Sequence, residues 1–421
     1  MEKTADSLTG LAMGGFIGDA IAMPVHWYYD RSALRQDYGT IRDYTAPKSP
    51  HPGSILWRSE YTAINERGDI LHDQARYWGQ RGIHYHQFLR AGENTLNLQL
   101  AKVLMDSLIA CGSYDADDYL TRYIDFMLTP GKHHDTYVEE CHRKFFTAYA
   151  RGTTPRKCAG TDIHIGGLAH VGVLCAYFQG DLSATREAVR EHISLTHRSP
   201  EVFATADAMV RMVGDLLKGL PLRESILAHG GDWFSQRKAR DWSAEPDEVV
   251  IGRRVSPACY IAEAFPASLY LAWKYADDFE GGVTANANVG GDNCHRGAVI
   301  GALIGGAVGV SKMPQKYVDG IDDGIDGDAV GQEMLPEALA SDVSHQRTGH
   351  AGERQAQVQQ PRPVVADVYD DGLDAFPHGR AALPVEDHAA HLIVHLEDFQ
   401  DGEASPVAVV PAFRAAVRHH D

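Results

Sequence analysis

The sequence predicts an all-α protein, and three observations carry that prediction. Apolar residues recur at three- and four-residue steps through most of residues 8–310. Alternating runs of strand type are scarce, and Gly-Asp or Asn-Gly hairpin signals between such runs are missing. Two segments, LAMGGFIGDAIAMP and NVGGDNCHRGAVIGALIGGAVG, place a small residue at every fourth position, which on a helix makes one continuous ridge. With 421 residues, 44% of them hydrophobic and 23% charged, the chain has enough apolar material for a sizeable core.

The first element carries Gly14, Gly18 and Ala22 on one ridge and is closed by Pro24. Residues 30–92 read as a long, aromatic-rich loop of the kind that often carries function. The next helix holds Leu96, Leu100, Val103, Leu104, Leu108 and Cys111 on one face, and similar stripes occupy 119–128, 137–149, 167–177, 202–217 and 261–275. Residues 230–258 read as a second long loop. The last strong helix carries Gly297, Gly301, Gly305 and Gly309. Each interior glycine costs about 1 kcal/mol against alanine, which is offset if a second backbone packs against the ridge. The two glycine helices are therefore expected to cross in near contact. After Lys316 the composition shifts: lysine disappears, Asp, Ala, His, Gln and Pro dominate, and periodicity is lost. The expected organisation is one helical domain over 1–315 and an irregular C-terminal tail over 316–421.

The formal net charge of −18, with no basic block, argues against a nucleic-acid partner. The N-terminus lacks a secretory pattern. The most apolar run, 298–310, falls short of the roughly 20 residues that span a bilayer, so no membrane partner is expected. Six widely spaced cysteines without a CxxC pair fit reduced thiols. A cytoplasmic protein is expected, with its oligomeric state unspecified.

Several polar residues need an explanation. Asp19 shares a face with Leu8, Ala12 and Gly15 near the unfavourable end of the helix dipole, so it needs cations or several donors around it. Asp292 sits where a helix N-cap belongs. Two acids on two closely packed helices nevertheless favour a shared polar site. In GENT, Thr95 or Asn94 can cap the following helix, which leaves Glu93 unexplained. His84 and His86, just before GENT, are better functional candidates than His133 and His134, which read as a solvated turn.

GGFIGDAIAMP resembles the opening signature of the ADP-ribosylglycohydrolase family, and GGDNCHRGAVIGALIGGAVG resembles its closing GGDTDT-and-glycine-helix signature. GENT lies where that family has Thr-Asp-Asp-Thr, and SLTHRSP is similar to its Thr-His segment. The resemblance spans about residues 8–310 and implies an all-α globule with a central cleft. It also implies a pair of Mg²⁺ ions and hydrolysis of a glycosidic bond in an ADP-ribosyl small molecule or ADP-ribosylated protein. A family member that has lost catalysis and keeps an ADP-ribose-binding or crystallin-like role is the alternative.

Carried over by position, Asp292, Asp19 and Glu93 are the implied catalytic acids. The implied metal ligands are Asp292, Glu93, Asp19 and His295. The implied substrate contacts are Asn94, Thr95, His164, Gly166, Gly167, His197, Asn293 and Arg296. Departures from the family pattern are concentrated at this site. The aspartate pair is Glu93-Asn94, the second GGDTDT aspartate and its following threonine are Cys294 and His295, and a glutamate usual after the GDA motif is His26. Mg²⁺ demands hard oxygen ligands, whereas thiol and imidazole suit softer ions. The expectation is at most one divalent ion, held mainly by Asp292 with help from Glu93 or His295, while Cys294 packs.

Overall fold

The computed structural model of the chain describes residues 2–321. The tail expected beyond them lies outside the described residues.

The fifteen α-helices described are α1 (Glu2–Ala22), α2 (Arg31–Tyr38), α3 (Leu96–Cys111), α4 (Ala116–Leu128) and α5 (Glu140–Ala150), then α6 (Val171–Phe178), α7 (Leu182–Ser194) and α8 (Pro200–Leu217). They continue with α9 (Leu222–His229), α10 (Gln236–Ser243), α11 (Asp247–Val249), α12 (Ile261–Lys274), α13 (Phe279–Val289), α14 (Asn293–Val308) and α15 (Gln315–Asp319). No strand occurs among the described residues, only isolated bridges such as Gly160–His197 and His164–Tyr260. The all-α expectation therefore holds.

The centre of the fold is the crossing of α1 and α14, its most extensive helix pair. A Cβ built on Gly10, Gly14 or Gly18 would collide with the carbonyl oxygen of Gly305, Gly301 or Gly297 respectively, and the reverse collisions hold too. Gly10, rather than Ala22, supplies the third step of the ridge. Helix α1 is apolar enough over Ala5–Val25 to cross a membrane by length and composition, yet 94% of it is buried inside the protein. It is a core helix.

Three local differences from the sequence expectation have physical causes. The element expected from residue 137 begins at Glu140, because residues 137–139 stay extended, with Tyr137 N–H donating to Tyr85 C=O. The 230–258 loop contains α10, capped by Ser235 and anchored only through Ala239 and Trp242, too few apolar residues to make a periodic signal. The helical unit also runs past residue 315: Tyr317 is fully buried, with its hydroxyl on Arg42 C=O, and Ile321 joins the core.

Candidate functional site

Three helices begin at residues whose side chains do not cap them. Thr95, Glu139 and Asp292 hold the N-cap positions of α3, α5 and α14, and none makes a side-chain capping bond. An N-cap acid or threonine normally closes one of the free N–H groups of the first turn. Here each side chain is turned to a buried polar partner instead.

Asp292 is fully buried, and its Oδ1 lies 2.8 Å from His26 Nε2 and 2.9 Å from His295 Nδ1. His26 Nδ1 lies 2.6 Å from His86 Nε2, and His86 Nδ1 lies 2.6 Å from Asp135 Oδ1. The second oxygen of Asp135 accepts from Leu96 N–H at the start of α3. On the other side His295 Nε2 meets Glu139 Oε1 at 3.1 Å. Asp135, His86, His26, Asp292, His295 and Glu139 thus form one buried chain of contacts. The 2.9 Å approach of His295 Nδ1 to Asp292 lacks hydrogen-bond geometry, and Asp292 Oδ2 is buried without a partner.

Local backbone chemistry aims these groups. Gly290 and Gly291 both have positive φ (69° and 71°), and a Cβ on either would strike the carbonyl of Tyr28 or Pro257. This tight approach lets Gly291 N–H donate to Tyr28 C=O and Trp27 N–H to Gly291 C=O, which sets His26 beside Asp292. Trp27 itself sits at φ 61°, a strained conformation for a bulky residue. It is held there by edge-to-face packing on Tyr85 and Tyr137.

Charge follows burial and neighbours. Burial pushes His26 down to about 4, so it is neutral at pH 7. Burial also opposes charging of His295, but Asp292 and Glu139 on either side raise it well above the usual imidazole value. Burial works against ionisation of Asp292 and Glu139, yet His295 dominates: Asp292 stays well below the carboxylate range and Glu139 falls to about 2.

A second polar group lies toward the surface. Asp162 Oδ1 accepts from His164 N–H at 3.0 Å, lies 2.7 Å from His164 Nδ1, and stands 3.7 Å from His197 Nε2. Backbone pairing of Ile165 N–H with Cys259 C=O and Ile261 N–H with Ile163 C=O holds this segment. A Cβ on Gly166 would come within 2.8 Å of Glu139 Oε2, and one on Gly167 within 2.8 Å of Val202 and 3.0 Å of the His197 ring. Those two glycines make room for Glu139 and His197. His164 is 23% exposed.

Other residues expected at the site are placed differently. Asp19 accepts from Asn94 Nδ2 (2.9 Å), Thr95 N–H (2.8 Å) and Thr95 Oγ1–H (2.8 Å), which meets its need for several donors; burial raises its pKa. The three residues tie α1 to α3. Glu93 is not brought into the cluster; its carboxylate pairs with Arg90 at 2.9 Å. Asn293 donates to Val25 C=O and Ala287 C=O. Arg296 is fully buried and donates to Asn286 Oδ1, Pro257 C=O and Gly290 C=O. Arg296 therefore braces the Gly290-Gly291 turn rather than facing a ligand, while Asn293 Oδ1 is buried without a partner. Cys294 is buried with its thiol 3.8 Å from Asp19 C=O, but it also stands near the His26–His86 pair.

The sequence reading had no role for Glu139, Asp135 or Asp162, and it noted His26 only as a departure from the family pattern. For Asp135 and Glu139 the signal was the dense run HHDTYVEECH, in which His133 also proves buried rather than part of a solvated turn.

Four compact clusters among the described residues could hold a metal: His26, Asp292 and His295; His26, His86 and Cys294; Glu139, Cys141 and His142; and Glu140, Asp162 and His164. For the Mg²⁺ pair implied by the resemblance, these donors do not fit. Mg²⁺ needs near-octahedral oxygen ligands, and no cluster offers more than two carboxylates, the two that contain His26 setting Asp292 alone among three imidazoles and a thiol. Two surface depressions, of about 670 and 750 Å³, are lined by Arg58, Glu140 and Arg143 and by Arg186, Phe203 and Asp207, and neither includes the buried cluster.

A sequence profile described as ADP-ribosylglycohydrolase matches residues 1–351. A solved structure named "ADP-ribosylglycohydrolase-related protein complex" superposes with a TM-score of 0.55 at 18% identity, covering 79% of this chain and 98% of that one. At that identity the likeness concerns the fold. No curated protein sequence matches the chain.

Proposed function

Because the chain belongs to the ADP-ribosylglycohydrolase family, we propose that it is a hydrolase that cleaves a glycosidic bond of an ADP-ribosylated protein or ADP-ribose derivative. The observation that supports this most is the diversion of Asp292 from capping α14 to the buried His26–His295 pair. A purely structural helix start has no need of it.

The reaction breaks the bond from the ribose anomeric carbon to the acceptor nitrogen or oxygen and adds water to that carbon. Positive charge develops on the ribose in the transition state, as in other glycoside hydrolyses. Glu139, kept ionised beside His295 and still 13% exposed, is suited to stabilise that charge and orient the water. His164 is suited to the diphosphate: burial opposes its charging, but Cys259 and Asp162 beside it raise its pKa well above the usual imidazole value. The six cysteines are all unpaired thiols, which supports a reducing, cytoplasmic setting.

The test is incubation with ADP-ribosylated arginine, ADP-ribosylated serine and O-acetyl-ADP-ribose under Mg²⁺, Mn²⁺ and Zn²⁺, reading released product. Turnover of at least one is expected, falling by roughly 10²-fold or more in Glu139→Gln. No turnover of any of them, together with thermal stabilisation by ADP-ribose, would convert the reading to a binding protein.

A further inference from the structure

We propose that His26, Asp292 and His295 form a site for one divalent transition-metal ion of zinc type, in place of a Mg²⁺ pair. The inference rests on the hydrolase reading only for what the ion would be used for.

The first support is spacing. One ligand atom from each of His26, Asp292 and His295 lies within 4.8 Å of the others, a spacing that brackets the roughly 3.4 Å between neighbouring ligands around a tetrahedral ion with bonds of about 2.1 Å. The second is the missing hydrogen bond. His295 Nδ1 and Asp292 Oδ1 approach without hydrogen-bond geometry, and Asp292 Oδ2 has no partner at all. A buried carboxylate needs a positive partner, which either a proton on His295 or a bound metal ion supplies between these atoms.

The third support is the outer shell. A histidine that ligates through one ring nitrogen almost always donates its other N–H to a carboxylate, carbonyl or water. His295 meets the Glu139 carboxylate in this way through Nε2, and His26 Nδ1 reaches a carboxylate one ring further on, through His86 to Asp135. Assigning neutral tautomers outward from Asp135 and Glu139 satisfies each outer contact with one proton. It leaves a lone pair on His26 Nε2 and on His295 Nδ1, both beside Asp292. Without a metal ion, His26 Nε2 lies at hydrogen-bond distance from Asp292 Oδ1 and a proton on His295 balances the carboxylate, so binding an ion would release those protons. Two imidazoles and a carboxylate with a position left open is the ligand set of catalytic zinc, and imidazole prefers such ions to Mg²⁺. The scaffold is firm: Asp292 and His295 are three apart on α14, and His26 follows α1. Cys294 is left as a packed thiol.

The experiment uses the full chain, stripped with chelator and reconstituted with Zn²⁺, Co²⁺ or Mg²⁺. Metal content is measured by mass spectrometry, affinity by calorimetry and coordination by the Co²⁺ visible spectrum. Because residues 322–421 contain further histidines, the triad variants decide the assignment. About one Co²⁺ or Zn²⁺ per chain, bound in preference to Mg²⁺, is expected. That binding should be lost in His295→Ala and in Asp292→Asn, a near-isosteric change that keeps the fold testable by circular dichroism. Glu139→Gln should weaken Zn²⁺ about 10- to 100-fold. Binding that survives in folded Asp292→Asn, preference for Mg²⁺, or a thiolate charge-transfer band lost in Cys294→Ser would each overturn this ligand set. A Mg²⁺-dependent hydrolase without zinc would sink the inference and leave the hydrolase reading standing; a zinc-loaded chain without turnover would do the reverse.

Discussion

The α1–α14 crossing and the segment from Met23 to Glu93 contribute the two halves of the same site by opposite means. At the crossing, order comes from missing side chains: Gly10, Gly14 and Gly18 meet Gly305, Gly301 and Gly297 backbone to backbone. In the segment, order comes from rings. Tyr28 stacks on His51 at 3.8 Å between centroids, Trp27 packs edge-on against Tyr85 at 4.8 Å, and His84 Nε2 lies 3.0 Å from Pro24 C=O. The crossing supplies Asp292 and His295, and the segment supplies His26 and His86. A rigid half tolerates no added atom, whereas a ring-packed half distributes its tolerance over many contacts.

The comparison can be broken most severely at Gly301. Gly301→Leu has only backbone to displace, so soluble, cooperatively melting protein should be lost, as read by yield and circular dichroism. Gly231→Ala, whose Cβ would meet only Leu227 C=O at 3.7 Å, should stay within about 0.5 kcal/mol of the parent.

Arg296→Met tests the joint between the halves. It removes three hydrogen bonds from a charged donor and takes Gly290 C=O's guanidinium partner, while Pro257 C=O keeps Asp292 N–H. A loss of about 3 kcal/mol or more is expected in denaturant unfolding.

Acid should loosen the molecule gradually. Burial pushes His51, His142 and His170 each down to about 4. Their unfolded forms take up protons near 6.5 and the folded forms only near 4, so their contribution is complete above about pH 6.5 and is lost as pH falls toward 4. Glu139, lowered to about 2, adds a loss that starts below about 4.5. His164 runs in the opposite direction, its raised pKa favouring the fold at lower pH. Melting temperature should decline from pH 7 to pH 4.

The smallest effect belongs to Glu93. Its pairing with the exposed Arg90 contributes about 0–1 kcal/mol, so Glu93→Gln should barely change stability. It should also leave turnover close to the parent's, in contrast to Glu139→Gln.

The crossing was legible because a four-residue glycine repeat has one economical explanation, and the family signatures lie on those same two helices. Asp292 and His295 were legible with it, being three apart at the head of α14. Glu139 and Asp135 were not, because Glu139 fell inside a stripe read as helix from residue 137, and Asp135 stood beside His133 and His134, which read as a solvated turn. His26 showed only as a departure from a family pattern, since its position depends on a turn closed by Gly290-Gly291, more than 260 residues away. Arg296 was misread for the complementary reason. A guanidinium beside an acid suggests a ligand, but carbonyls supplied by distant loops consume it.

The pairing of the first helix with the last strong one also sets a schedule for the chain as it leaves the ribosome. Helix α1 cannot meet α14 until about 270 more residues have been made, counting from Ala22 to Asn293. At roughly 5–20 residues per second, that is a wait of about 15 to 55 s. Throughout that interval an apolar, glycine-weakened segment has no native partner for its ridge. Release of α1 from whatever shields it, rather than assembly of the loops, should therefore time the last step of maturation in the cell.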